Sequence, residues 1–174
     1  MKLIISDVDG VLTDGAVLWG EKGAAFKQFS VRDGHGIQLL KEAGWRIIFV
    51  TSSKDVPTIA RLNHLGVEYY IGIKNKAAFV TSLLASIAEE TGSPQLPKFL
   101  AVGDDVMDLE FMRMSTITVC PDNAEVAVYS LVRDRNEETS GEFYGFTLPE
   151  KEHKFRQLCN LILASSWPEL VLED

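Results

Sequence analysis

Short apolar runs rich in β-branched residues recur along the chain and alternate with longer stretches in which apolar positions return every three or four residues. The runs fall at 3–5, 46–50, 68–71, 99–102 and 117–119, each too short for a helix and bounded by turn formers or charges, as in strands buried on both faces. Between them, Ile37, Leu40 and Ala43 mark a helix that follows Arg32-Asp33-Gly34-His35-Gly36 and stops at Gly44. A second helix starts at Asp55-Val56-Pro57 and ends before Gly66, and a long third one begins at Lys76, with Phe79, Val80, Leu83, Leu84, Ile87 and Ala88 on one stripe. Further helices are predicted after Asp108, over 123–129 and over 150–165, whereas 133–148 shows little periodicity and is assigned no element.

Strands alternating with helices predict an α/β fold with a parallel sheet covered on both faces. One stretch departs from the alternation. Extended runs at 16–19 and 25–30, joined by Gly20-Glu21-Lys22-Gly23, read as a β-hairpin inserted after strand one. An isolated hairpin is marginal in water, so Trp19, Phe26 and Phe29 are expected to pack either on the body of the chain or on another subunit.

The polar residues that interrupt this pattern carry the candidate chemistry. Strand one stops at Asp7-Val8-Asp9-Gly10, strand two at Thr51-Ser52, and strand four at Gly103-Asp104-Asp105-Val106-Met107-Asp108, while Lys76 opens the helix after strand three. In a parallel sheet these positions converge on the carboxyl edge, where ligands of open α/β sheets bind. Asp-x-Asp alone is equally what a turn would use; its recurrence with Thr and Lys at the other strand ends points to a site.

Composition narrows the partners. The 174 residues show no linker, repeat or low-complexity tract and are expected to form one domain over 1–174. A formal charge of −8 lacks the basic patch that nucleic acid requires. Cys120 and Cys159 match neither a disulfide framework nor a zinc spacing. No segment is apolar enough for a membrane span and the N-terminus lacks a signal-peptide layout, so a cytoplasmic protein is expected.

Asp7-x-Asp9, Thr51, Lys76 and Gly103-Asp104-Asp105-x-x-Asp108, in that order, resemble the four motifs of the haloacid-dehalogenase-like phosphatase superfamily. Asp7 to Gly15, the hairpin, Phe29-Ser30-Val31-Arg32-Asp33-Gly34-His35-Gly36-Ile37 and Gly72-x-x-Asn75-Lys76 resemble its capless branch, typified by 3-deoxy-D-manno-octulosonate 8-phosphate phosphatase. The resemblance implies a Rossmann-like three-layer α/β/α fold with a hairpin insertion and no cap domain. It also implies a homotetramer and a Mg²⁺-dependent phosphomonoesterase acting on a small phosphorylated sugar acid. Two stretches depart from the branch. Thr51-Ser52-Ser53-Lys54 stands where Thr-Gly-Arg is usual, and Ser140 to Gly145 where a Gly-Gly-x-Gly-Ala-x-Arg stretch is usual.

Within that frame Asp7 is the expected nucleophile, forming an aspartyl-phosphate, and Asp9 the group that protonates the leaving oxygen and then activates water. Thr51 and the Ser52 N–H would hold phosphate oxygens, with Lys76 as the fixed positive charge. Like charges about 4 Å apart repel by roughly 4 kcal/mol at an effective dielectric near 20, so a carboxylate cluster calls for a hard cation. By resemblance Mg²⁺ is held by Asp7, the Asp9 carbonyl and Asp104, with Asp105 and Asp108 in support. Arg32, Asp33, His35 and Lys54 are candidate substrate contacts, with helix capping open for Arg32 and Asp33. His64, His153, Glu137-Glu138 and the acidic run at 169–174 are expected to be solvated or capping. Other readings are a phosphatase of a nine-carbon sugar-acid 9-phosphate or another small phosphometabolite and, from different classes, a phosphoacceptor signalling domain or a non-catalytic assembly domain.

Overall fold

The computed structural model describes residues 1–137, 141–149 and 153–164, together with Leu172. The strands are β1 (Leu3–Ser6), β2 (Leu18–Gly20), β3 (Gly23–Phe26), β4 (Arg46–Val50), β5 (Glu68–Tyr70), β6 (Leu100–Val102), β7 (Ile117–Pro121) and β8 (Tyr144–Leu148). The helices are α1 (Val31–Glu42), α2 (Val56–Leu65), α3 (Lys76–Thr91), α4 (Leu109–Arg113), α5 (Val126–Asn136) and α6 (Lys154–Ala164). Six strands form one parallel sheet in the order β5-β4-β1-β6-β7-β8, and β2 and β3 pair separately as an antiparallel hairpin.

Strand periodicity divides the core between the two faces of the sheet. Ile4, Ile47 and Phe49 pack with Ile37, Leu40, Leu62, Phe155, Leu158 and Ile162 of α1, α2 and α6. Leu3, Ile5, Ile48 and Val50 pack on the opposite face with Val80, Leu84, Ile87, Phe111, Val128 and Val132 of α3, α4 and α5. Both faces of the central strands are therefore dry, which is why they read as continuous apolar runs rather than as an alternation. The result is a three-layer α/β/α architecture, with only the hairpin between β1 and α1 and no inserted cap.

The strand order places the crevice. After β1 the chain moves to β4 and β5 on one side, then returns to β6, β7 and β8 on the other, so β1 and β6 are neighbours whose connections leave in opposite directions. Such a switch point opens a gap above the strand ends. Asp7 follows β1 and Asp104 follows β6, at the two lips of that gap.

Four expectations need correction. The hairpin strands are shorter than 16–19 and 25–30, and the turn between them is Glu21-Lys22. Helix α1 starts at Val31 and so contains Arg32 to Gly36: Ser30 caps it, accepting from the N–H groups of Arg32 and Asp33. Two glycines make a weak helix start, but a Cβ on Gly36 would lie 3.0 Å from Arg156 Cα of α6, so tertiary packing outweighs propensity. Helix α5 runs from Val126 to Asn136, later and longer than 123–129. The unassigned stretch contains β8, an edge strand paired only with β7 and carrying Gly145, so it shows no buried apolar run. Glu138, Ser140, 150–152, Ser165 and, apart from Leu172, the acidic run at 169–174 lie outside the described residues.

Candidate active site

The turn after β1 is built to expose two carboxylates. Asp7 continues the strand, its N–H donating to the Val102 carbonyl of β6 at 2.9 Å. Gly10 then takes a left-handed conformation (φ 74°), and the N–H groups of Gly10 and Gly15 donate to Thr13 Oγ1 at 3.2 and 3.1 Å. A Cβ at Gly10 would lie 1.7 Å from Asp104 Oδ2, so the absence of a side chain is what lets the β6 carboxylate close on the turn. Lys154, the first residue of α6, reaches under the turn and donates to the carbonyls of Gly10 and, at 3.3 Å, Thr13.

Asp7, Asp104 and Asp108 each present a carboxylate oxygen within 4.8 Å of the others. Lys76, at the start of α3, donates to Asp108 Oδ1 at 2.6 Å and lies 2.9 Å from Asp7 Oδ1 without hydrogen-bond geometry. Asp108 Oδ2 accepts from the N–H groups of Asp104 and Asp105 at 3.1 and 3.3 Å. Both oxygens of Asp108 are thus served by the protein. By contrast, Asp7 Oδ1 and Asp104 Oδ1 are buried and accept no hydrogen bond among the described residues. Burial, followed by the charge of Asp108, pushes the Asp7 carboxyl up to about 8 against the pull of Lys76. Burial and the charges of Asp108 and Asp105 push Asp104 up to about 7. Burial alone would lower Lys76, but the charges of Asp7 and Asp108 outweigh it and raise the ammonium above its ordinary value. An all-oxygen donor set in which Asp104 Oδ1 accepts no hydrogen bond and Asp7 Oδ1 has only the Lys76 ammonium beside it fits a hard divalent cation. Asp105 is exposed and turned onto the Val106 N–H at 2.6 Å, so Asp104 is the member of the pair that faces the cluster.

A second ionic centre lies on the other side of Asp9 and was not apparent from the sequence. Lys27 follows β3, and its ammonium lies 2.7 and 2.8 Å from the two oxygens of Asp9. It also donates to Asp55 Oδ2 at 2.6 Å and Thr58 Oγ1 at 3.0 Å. Asp55 caps α2, accepting from the Thr58 N–H at 2.8 Å, and takes a short hydrogen bond from Ser53. Burial would raise Asp55, but the hydrogen bonds from Lys27, Ser53 and Thr58 outweigh it and hold the carboxyl well below the usual carboxylate range. Among seventeen basic residues the sequence had no signal for Lys27, because its partners come from 18 and 28 positions away.

The remaining predicted residues divide. Thr51 is buried in the crevice, its Oγ1 accepting from the Ser53 N–H at 3.0 Å, and Ser52 beside it is exposed. Asp33 is buried and accepts from the Arg156 N–H at 2.8 Å, so it ties α1 to the start of α6; burial raises its carboxyl. Arg32 and His35 are exposed on α1, and Lys54 is exposed with its stem against Gly72. His64 is exposed on α2, while His153 contacts Ser30 through Nδ1. Cys120 and Cys159 are buried thiols in no disulfide, and burial pushes Cys120 up to about 12. A cavity of about 250 Å³ beside the turn is lined by Thr13, Asp14, Gln28, Asn123 and His153. Of the hairpin aromatics, Phe29 packs on the core beneath Arg61, whereas Trp19 and Phe26 are 76% and 68% exposed.

A parallel sheet with this strand order, and Asp, Thr, Lys and Asp delivered in that order to its carboxyl edge, define a haloacid-dehalogenase-like fold and site. The chain belongs to that superfamily. No protein-family model matches it. Among curated proteins it is similar to the 3-deoxy-D-manno-octulosonate 8-phosphate phosphatase KdsC of Yersinia pestis, 32% identical over 120 residues that cover 68% of this chain and 62% of that protein. The matched stretch thus spans less than two thirds of these relatives' length. Among solved structures, a probable YrbI family phosphatase from Pseudomonas syringae aligns over 100% of this chain and 94% of that one, at 28% identity and a TM-score of 0.77. The KdsC-type phosphatase of Moraxella catarrhalis, solved in complex with magnesium, phosphate and KDO, aligns over 94% of this chain and 86% of that one, at 25% identity and a TM-score of 0.72. No helix among the described residues is long and apolar enough to cross a membrane.

Proposed function

We propose that the whole chain acts as one cytoplasmic, Mg²⁺-dependent phosphomonoesterase on a small sugar-acid phosphate of the 3-deoxy-D-manno-octulosonate 8-phosphate type. The observation that carries the reading is the juxtaposition of Asp7 with Lys76, Asp104 and Asp108, in which buried oxygens of Asp7 and Asp104 accept no hydrogen bond among the described residues. The similarity to KdsC phosphatases supports the same chemistry.

Asp7 attacks phosphorus in line; the bond to the sugar oxygen breaks and that oxygen takes the proton of Asp9. Water then attacks the aspartyl-phosphate, giving a proton to Asp9 and releasing inorganic phosphate, so both carboxyls return to their starting forms. Thr51 Oγ1 and the Ser52 N–H hold the phosphate oxygens. Lys76 keeps Asp7 and Asp108 close together and supplies positive charge beside the transferring group. Asp7, the Asp9 carbonyl and Asp104 would hold Mg²⁺, with Asp108 and Asp105 behind them. When bound, the ion offsets the negative charge that carboxylates and phosphate bring together.

With no cap, specificity falls to the rim, to which the exposed Arg32, His35 and Lys54 are assigned. The hairpin's exposed Leu18, Trp19 and Phe26 are assigned to a contact between copies in a homo-oligomer, a tetramer by resemblance, that covers the open site. The test is phosphate release across eight- and nine-carbon sugar-acid phosphates, plain sugar phosphates and nucleotides, compared as kcat/KM. A preference for the sugar acids is expected. A preference for nucleotides or uncharged sugar phosphates overturns the substrate class, and no turnover of any phosphomonoester overturns the enzyme reading.

A further inference from the structure

Lys27 has no part in the chemistry above, yet it is the most completely committed side chain near the site. Its side chain is 2% exposed, and its ammonium meets both oxygens of Asp9, Asp55 Oδ2 and the buried Thr58 Oγ1. An ammonium has three N–H donors, and acceptors from three residues surround this one, so it holds a single orientation. Asp55 and Thr58 are themselves tied to the start of α2, since the Asp55 carboxylate caps the helix through the Thr58 N–H. A fixed point on α2 is thereby carried through Lys27 to the carboxylate of Asp9. Asp9 keeps 34% of its side chain exposed.

We propose that Lys27 is a positioning residue that sets the direction of the Asp9 carboxylate for proton transfer to the leaving oxygen, an inference that rests on the acid–base role of Asp9.

The test compares substrates that need the acid with one that does not. An alkyl phosphate leaves as a strongly basic alkoxide and requires a proton, whereas para-nitrophenyl phosphate leaves as a stable phenolate. For Lys27→Met, kcat/KM on the alkyl phosphate is expected to fall about 10-fold to 100-fold, within the range that a placed acid contributes, while the value on para-nitrophenyl phosphate stays within about 3-fold. Thr58→Val, which keeps the shape and removes one acceptor, is expected to give the same split at smaller size. The Lys27→Met/Asp55→Asn double variant, which removes the charge left uncompensated, serves if the single variant does not fold. An equal fall on both substrates assigns Lys27 to structure alone and overturns the proposal, as does no change on either. Asp9→Asn separates the two layers of argument. If it spares neither substrate selectively, the acid role of Asp9 is what fails; if it discriminates and the Lys27 variants do not, Lys27 alone is wrongly assigned.

Discussion

Two ionic centres flank the same turn and differ in whether the protein completes them. Around Lys27 one ammonium meets Asp9, Asp55 and Thr58, and the Asp55 carboxyl is held well below its ordinary range. Around Lys76 one ammonium faces the cluster of Asp7, Asp104 and Asp108, Asp7 Oδ1 and Asp104 Oδ1 accept no hydrogen bond among the described residues, and the Asp7 and Asp104 carboxyls are pushed up to about 8 and about 7. A buried charge without compensation is costly and answers by holding its proton. The first centre is finished by the fold; the second is left open for what binds there. The same residue types, Lys and Asp, thus form a fully partnered cluster on one side of Asp9 and an incompletely partnered one on the other.

The largest effect expected from this contrast is on the open centre. Asp7→Asn keeps the shape of the side chain and removes the proposed nucleophile, so turnover should fall by on the order of 10⁴-fold or more with the far-ultraviolet circular dichroism unchanged. Appreciable residual turnover would mean that another group attacks. Chelation should likewise abolish hydrolysis of para-nitrophenyl phosphate and Mg²⁺ restore it; metal-independent turnover of comparable rate would remove the assigned role of the carboxylate cluster.

Breaking the ion pairs comes next. Lys76→Met leaves Asp108 without its cation, and removing one partner of a buried pair costs about 3–5 kcal/mol, measurable by urea denaturation of the metal-free protein. A loss below about 1 kcal/mol would show that the Lys76 pair is not what holds the cluster together.

The two centres should also answer pH in opposite directions. Asp7 keeps its proton in the folded chain to about 8 and releases it near 3.8 when unfolded, so the folded state binds more protons between those values. Its contribution is present at low pH and lost as pH rises through that window. Mg²⁺, whose ligands must be deprotonated, should therefore raise the Tm more at pH 8 than at pH 6. Asp55 is depressed, so its contribution is present above the ordinary carboxylate range and lost as pH falls through its folded value. Asp55→Asn should flatten the loss of stability between pH 5 and pH 3. Equal slopes for variant and parent would mean that the Lys27 centre is not where acid acts.

The smallest effect concerns the hairpin, whose tip is not part of either centre. Trp19→Ser should shift sedimentation toward smaller species at micromolar concentration, because the side chain is 76% exposed and an indole buried in a contact contributes about 1–3 kcal/mol. A parent protein that sediments only as monomer with full activity would refute the proposed contact.

Most of this architecture was readable along the chain. The central strands are dry on both faces, so their residues had to be apolar without interruption, and the cap Asp55 and the stops Gly44 and Gly66 announce helix ends through local backbone chemistry. For the same reason Asp7, Thr51, Lys76 and the Asp104 to Asp108 run could be placed at one edge, since each sits at the end of a strand or the start of a helix. What failed were features set by distant partners. Helix α1 begins early because Gly36 packs against α6, and β8 is an edge strand defined only by its pairing with β7. The orientation of Asp104 inward and Asp105 outward depends on the space left by Gly10, 94 positions away from Asp104 by subtraction of their numbers. Lys27 is the extreme case, a lysine indistinguishable from its neighbours in composition whose role exists only where β3, the β1 turn and α2 meet. Local periodicity and capping are written in adjacent residues; the pairing of charges depends on which distant residues the fold brings within 3 Å, as the Lys27 contacts at 2.6 to 3.0 Å illustrate.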